Sequence, residues 1–392
     1  MLTLLLIVIY ISFISLGLPD SLLGSAWPIL HADLAVPISY AGIISMIVSG
    51  GTIISSFFSE KIIRKLGTGL VTAISVLMTA GALLGFSYAP SFIWLCILAI
   101  PLGLGAGSVD AGLNNFVALH YKARHMSWLH CFWGIGATLG PVIMSFYLNK
   151  EGHWNLGYRT IGIIQTILVI ILFITLPLWK NSKRGEESVN EIEHRSLKIG
   201  QIFKIKGAKT AFISFFCYCA LESTTGLWGS SYLVFERGMN SEVAAKWISL
   251  FYLGITIGRF ISGFATMKFN NQTMIRIGEI LIVTGIAVLF IPTNSNLLQV
   301  GFLLIGMGCA PIYPCMLHET PNRFSKSLSA SLMGIQMAFA YVGSTFMPPI
   351  FGAISGTLSL ALFPFFLMII LILMVLSSEH VNITVKHKAE SS

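Results

Sequence analysis

The chain has 392 residues, 55% hydrophobic and only 10% charged, with a net charge of +8 and a mean hydropathy of +0.81. A soluble domain carries about 25% charged residues, so this composition excludes a soluble globular protein. Apolar residues recur in blocks of about 20 or more, enough to cross ~30 Å of hydrocarbon, and the alternation of a membrane barrel is absent; the chain reads as an all-α membrane protein.

Twelve spans are predicted, near 3–30, 38–60, 68–88, 92–120, 126–148, 157–179, 210–234, 243–267, 273–292, 296–319, 327–353 and 357–377. Loops 61–67, 120–125, 180–209, 268–276, 323–326 and the C-terminal tail hold 19 of the 24 Lys and Arg residues. The opposite loops hold Lys150, Arg159, Arg237 and Lys246, and Arg259 lies within a span. This bias predicts cytoplasmic termini in a cell (inner or plasma) membrane. It also accounts for the net charge, so nucleic acid is not expected as a partner. The first span has no basic leader, exceeds a signal-peptide h-region, and is expected to be retained.

That first span contains "GLPDSLLGSAWP". Pro19 frees a backbone carbonyl and bends the helix, and Gly24 and Pro28 add give; broken helices are tolerated at mid-membrane where they line a cavity. Asp20 costs at least ~2.5 kcal/mol at a bilayer centre and so marks a functional site, either a proton site or an acceptor for a hydroxylated ligand. The bland alternative is a carboxylate tied to a neighbouring helix end or basic group. Glu60 and Arg64, with Lys65, occupy the turn after the second span as gating candidates.

In the fourth span Gly103, Gly107, Asp110 and Asn114 are spaced 4, 3 and 4 and share a helix face. The glycines let a neighbouring helix approach closely, leaving Asp110 and Asn114 in a partly dry seam. No Lys or Arg of that half lies at a comparable depth. Asp110 is therefore expected to be a protonatable, coupling carboxyl; the alternative is a polar knot between helices. His130, in "SWLHCFWGIGATLGP", is either a core residue or a relay partner and substrate donor. Trp133, Trp128, Trp27 and Trp228 are placed near the cavity or its mouth, as sugar-facing rings or interface anchors.

The charged stretch 180–209 reads as a cytoplasmic linker between an N-terminal six-helix bundle (1–179) and a C-terminal one (210–380), with a tail at 381–392. An internal repeat supports this division: "DSLLG" (20–24) matches "ESTTG" (222–226), "GLGAGSVD" (103–110) matches "GMGCAPIY" (306–313), and "GATLGP" (136–141) matches "GSTFMP" (343–348). "EKIIRK" (60–65) and "TMKFNN" (266–271) fill equivalent turns. Glu222 thus repeats Asp20 in the second half. Arg259 and Glu279 lie toward the cytoplasmic ends of adjacent spans and are expected to form a structural or gating ion pair. Glu319 and His318, near the same boundary, are expected to be hydrated. Tyr313 and Gln336 complete the candidate substrate contacts. The six cysteines lie in spans without metal-ligand spacing; neither metal nor cofactor is expected.

The turn "FFSEKIIRKLGT" resembles the signature between the second and third spans of the major facilitator superfamily, with Ser56 and Glu60 standing where that pattern has Gly and Asp. "GLGAGSVDAGLNNFVALHY", "LHCFWGIGATLGP", "GITIGRFISG" and "CAPIYPCML" resemble its fucose–galactose–glucose:proton symporter branch, over nearly the whole chain. The resemblance implies two pseudo-symmetric six-helix bundles with a site between them. It implies substrate and proton roles for the acids matching Asp20 and Asp110, the latter Glu in better-known sugar symporters. His130 stands where the fucose-type pattern has Gln, Glu222 where it is more neutral, and Tyr313-Pro314 matches its Tyr-Pro break.

The expected function is proton-coupled symport of a small hydroxylated solute, a hexose, by alternating access, carried out by a monomer in the lipid bilayer. The alternative of the same fold is a proton-coupled exporter of drugs or metabolites. A membrane enzyme would need a nucleophile–base or metal constellation, which the sequence does not offer, and a sensor would usually append a signalling domain.

Overall fold

In hydrocarbon, backbone N–H and C=O groups must be satisfied within the chain, which drives these apolar runs into helices. The computed structural model describes residues 2–121, 123–149, 153–180, 199–292, 297–324 and 326–390 and is all-helical. The first rod is α1 (Leu2–Asp20) continued by α2 (Leu22–Asp33). Five follow: α3 (Ala41–Leu66), α4 (Thr68–Phe86), α5 (Phe92–His120), α6 (Ala123–Leu148) and α7 (Trp154–Lys180). After the short α8 (Ile199–Ile202) come α9 (Ala208–Phe235), α10 (Ser241–Ala265), α11 (Asn271–Phe290), α12 (Leu297–Phe324), α13 (Lys326–Thr357) and α14 (Phe363–Glu390).

Eleven of these twelve rods are long and apolar enough to cross a membrane. The twelfth, α9, has the length, 28 residues, but carries Lys209, Glu222 and several Ser and Thr, and most of its side chains are buried. A rod enclosed by protein need not match lipid. The expected linker falls largely on 181–198, outside the described residues. The last helix runs on to Glu390, past the predicted boundary at 380.

Within the first six rods, α3 packs along α5, α4 along α5 and α7, and α1 against α6. Within the second six, α12 lies between α10 and α11, and α9 against α13 and α14. Gly107 shows why the α3–α5 seam is tight: a Cβ there would meet the Thr52 carbonyl and the Ser55 hydroxyl. The two bundles meet along α6–α10, α3–α13 and α2–α9.

At the end carrying the 34–40 and 236–240 turns, the bundles touch backbone to backbone. A Cβ on Gly24 would strike the Gly226 carbonyl and lie 2.8 Å from that of Leu227; one on Gly42 would lie 2.6 Å from Pro349 Cα. Ser39 abuts Gly352 and Gly356, and His31 meets Phe235 edge-on at 5.5 Å between centroids. This end is closed.

The first rod breaks where Pro19 predicts. Ser21 alone separates α1 from α2. Proline has no N–H for the carbonyl four residues back, which is that of Ser15. Gln165 of α7 fills the gap, its Nε2 donating to Ser15 O at 2.7 Å while its Oε1 accepts from Thr79 Oγ1 of α4 at 2.8 Å. Thr79 also reaches Val76 O, so Gln165→Leu strands mainly the Ser15 carbonyl, a loss of about 1–3 kcal/mol. The expected result is a lower melting midpoint in detergent, with Ile163→Leu on the exposed face of α7 unchanged; equal midpoints would show that the clasp carries no stability.

Candidate functional site

The break in the first rod places Asp20 beside a cavity of about 250 Å³ between the bundles. From the first bundle its walls include Asp20, Ser45, Ser49, Trp133 and Tyr158; from the second, Glu222, Ser223, Tyr252 and Ser344. Leu23, Ile44, Val48, Leu102 and Leu227 supply apolar surface. A few convergent polar groups on an apolar wall are what orient a small ligand. Asp20 is exposed despite its mid-rod position, because it faces this hollow. Trp133 Nε1 donates to Asp20 Oδ2 at 2.8 Å, and Glu222 is half-buried. The Tyr158 hydroxyl is a buried polar atom without a hydrogen-bond partner among the described residues.

Asp110 lies one turn beyond Ala106, itself a wall residue, on α5. Asn114 Nδ2 donates to Asp110 Oδ1 at 2.9 Å, while Asn114 Oδ1 is buried and has no hydrogen-bond partner among the described residues. Across the interface Asp110 interacts electrostatically with Tyr313 and Tyr341 of the second bundle. Neither Asp110 nor Asn114 lines the cavity; the acid lies a turn from its wall, within electrostatic reach of the second bundle.

Arg259 holds a place its sequence position did not suggest. Its guanidinium carbon lies 5.0 Å from the Trp133 ring centroid, across the α6–α10 interface, and Nη1 reaches His130 O at 3.5 Å. The expected Arg259–Glu279 pair is not formed. Glu279 is 4% exposed and accepts from Ser378 Oγ of α14 at 2.9 Å; the two residues point to different neighbours. Arg276, one turn before Glu279, binds Glu379 through two 2.7 Å hydrogen bonds. Glu60 and Arg64 do pair, at 3.6 Å on one helix with both side chains largely exposed; such pairs contribute about 0–1 kcal/mol.

Several other expected contacts are committed elsewhere. Trp228 is fully buried, donating to Pro348 O at 2.9 Å. Gln336 is buried, accepting from Thr320 Oγ1 at 2.8 Å. Tyr313 sets its ring at a tilt against Phe215 and Tyr218 and points its hydroxyl at Met337 Sδ. His130 sets its ring edge-on to Phe13, 6.0 Å between centroids. None of these four lines the cavity. Trp27 is buried, donating to Ile38 O at 2.6 Å, whereas Trp128 is exposed. Glu319 and His318 share the Asn271 amide. The sequence reading missed Ser45, Ser49, Tyr158, Ser223, Tyr252 and Ser344, since small hydroxyls and tyrosines recur throughout membrane helices.

Two helical bundles of membrane-spanning length with a hollow between them, apolar but set with a few polar groups, define a membrane transporter. The chain belongs to the Major Facilitator Superfamily, whose family model matches residues 9–245 and 210–390; it is a transporter, not an enzyme. It is 24% identical over 391 residues to Bypass of stop codon protein 6 of Saccharomyces cerevisiae, covering 90% of this chain and 77% of that protein. It is also 24% identical over 328 residues to the glucose/mannose transporter GlcP of Bacillus subtilis, covering 79% and 77%. The crystal structure of the nucleoside transporter NupG shares the fold, with a TM-score of 0.76, 15% identity, and coverage of 96% and 98%.

Proposed function

We propose that this transporter is a proton-coupled symporter of a small hydroxylated solute, a hexose, working by alternating access. The observation that carries this reading is the cavity itself: one carboxylate from each bundle, Asp20 and Glu222, amid serine and tyrosine hydroxyls and the Trp133 ring. Carboxylates and hydroxyls accept from sugar hydroxyls, and the aromatic face suits a sugar ring. The similarity to a glucose/mannose transporter is in keeping with it. In this mechanism Asp110 takes a proton, the solute binds between the bundles, and the loaded carrier rocks to the other side, where solute and then proton leave. Only ligands that stabilise one state over the other can drive such a change. The excess of Lys and Arg in alternate loops supports cytoplasmic termini in a cell membrane, with the closed end facing outward. One chain supplies both walls of the cavity, so a monomer suffices.

An exporter of cationic drugs would also use two carboxylates. The cavity, at about 250 Å³, falls below the ~300–1,000 Å³ of drug-sized sites, which favours a monosaccharide. In proteoliposomes, an inward proton gradient is expected to drive labelled glucose above its equilibrium level. Asp20→Asn is expected to lower that uptake about tenfold, a loss of about 1.4 kcal/mol. Gradient-independent equilibration, or full uptake by the variant, would refute the proposal.

A further inference from the structure

Three carboxylates crowd the centre of the interface: Asp20 interacts with both Asp110 and Glu222. Among the described residues the cation beside them is Arg259, which sits over Trp133 and does not line the cavity. That guanidinium is turned to the Trp133 ring and the His130 carbonyl rather than paired with any of the three acids. His130, a histidine near Arg259, turns its ring to Phe13 and does not line the hollow.

On the cavity itself Asp20 and Glu222 stand on opposite walls, and among the described residues no wall residue is Lys, Arg or His. Two carboxylates facing one hollow with no basic group on its wall make it attractive to a cation. A neutral hexose brings hydroxyl donors to these acids but no charge. A protonated amine brings three donors and a positive charge, and charge-assisted hydrogen bonds are about twice as strong as neutral ones.

We infer that the solute is a small polyhydroxylated ammonium, an amino hexose, whose ammonium sits between Asp20 and Glu222 while its ring hydroxyls meet Ser45, Ser49, Ser223 and Ser344. This deepens the hexose reading and rests on the same cavity. It also specifies what is rejected: a carboxylated sugar brings a like charge to two acids, and a bulky lipophilic cation exceeds the space.

The test is calorimetric titration of the purified full-length protein with glucosamine, glucose, N-acetylglucosamine and ethanolamine, at a pH where the free amines are protonated. Glucosamine is expected to bind about tenfold or more tightly than glucose or N-acetylglucosamine. Glu222→Gln is expected to remove that advantage, costing glucosamine about tenfold more affinity than it costs glucose, and Glu222→Asp to restore part of it. Melting curves check that both variants are folded. Equal affinity for glucose and glucosamine, or an advantage that survives Glu222→Gln, overturns the ammonium while the hexose reading stands. Binding of ethanolamine without any sugar overturns the hexose reading and the amino hexose with it, and binding of none of the four overturns both.

Discussion

Asp110→Asn is expected to abolish gradient-driven accumulation while leaving exchange of solute across the membrane intact. The substitution preserves shape and an Oδ1 acceptor for Asn114 Nδ2, now at 2.9 Å, so local packing is retained. It removes the ability to ionise. The side chain then mimics the protonated acid at all times, and the bundles rock whether or not a proton is present. With one proton per solute, a gradient of one pH unit sustains about tenfold accumulation, equivalent to about 1.4 kcal/mol; the variant should fall to a ratio near one. Counterflow of preloaded solute, measured in the same vesicles, separates exchange from coupling. Full accumulation by Asp110→Asn would remove this residue from the coupling role. Loss of counterflow as well would assign Asp110 to solute binding or to structure.

The second large effect is expected from Gly24→Leu. In the closed end, Gly24 has the Gly226 and Leu227 carbonyls where a side chain would begin. Those obstacles are backbone and cannot rotate aside, so α2 and α9 must separate. Overpacking of this kind costs about 1–3 kcal/mol, which shifts a two-state balance by about tenfold to a hundredfold. Because the clash exists only when this end is shut, the cost acts on one state of the cycle, and the protein should remain folded but favour the state open there. Transport should drop about tenfold or more. A cysteine placed at Ser49, on the cavity wall, should become reactive to an impermeant thiol reagent added from the side of the 34–40 turn. Wild-type transport with unchanged labelling would show that the Gly24 contact is not the closing element.

Much of this architecture was legible because bilayer thickness imposes a length on every span, and because Pro19 removes a backbone donor close to where the first rod breaks. The burial of α9 was less obvious: its polar residues look like a weak span until the surrounding rods are in place. Site residues divided along a similar line. Asp20 and Glu222 announce themselves by their cost in hydrocarbon, and they line the cavity. Arg259 and Glu279 were read as partners because their spans adjoin, yet a helix face is set by packing, and one turned to α6, the other to α14. Trp228, Gln336, Tyr313 and His130 found partners within their own surroundings, something periodicity cannot report. Gln165 carried a signal, as the amide in the otherwise apolar run "IGIIQTILVI", but its bond to Ser15 spans 150 positions.

The Gln165 clasp has a consequence for how cargo is held. By tying the kink to α4 and α7, it makes Asp20 a fixed landmark of its own lobe, as Glu222 is of α9. Any tilt of one lobe against the other therefore changes the spacing of the two acids without either side chain changing rotamer. In the proposed cycle a molecule that spans them would be gripped at one spacing and let go at another, so release would follow from the swing itself.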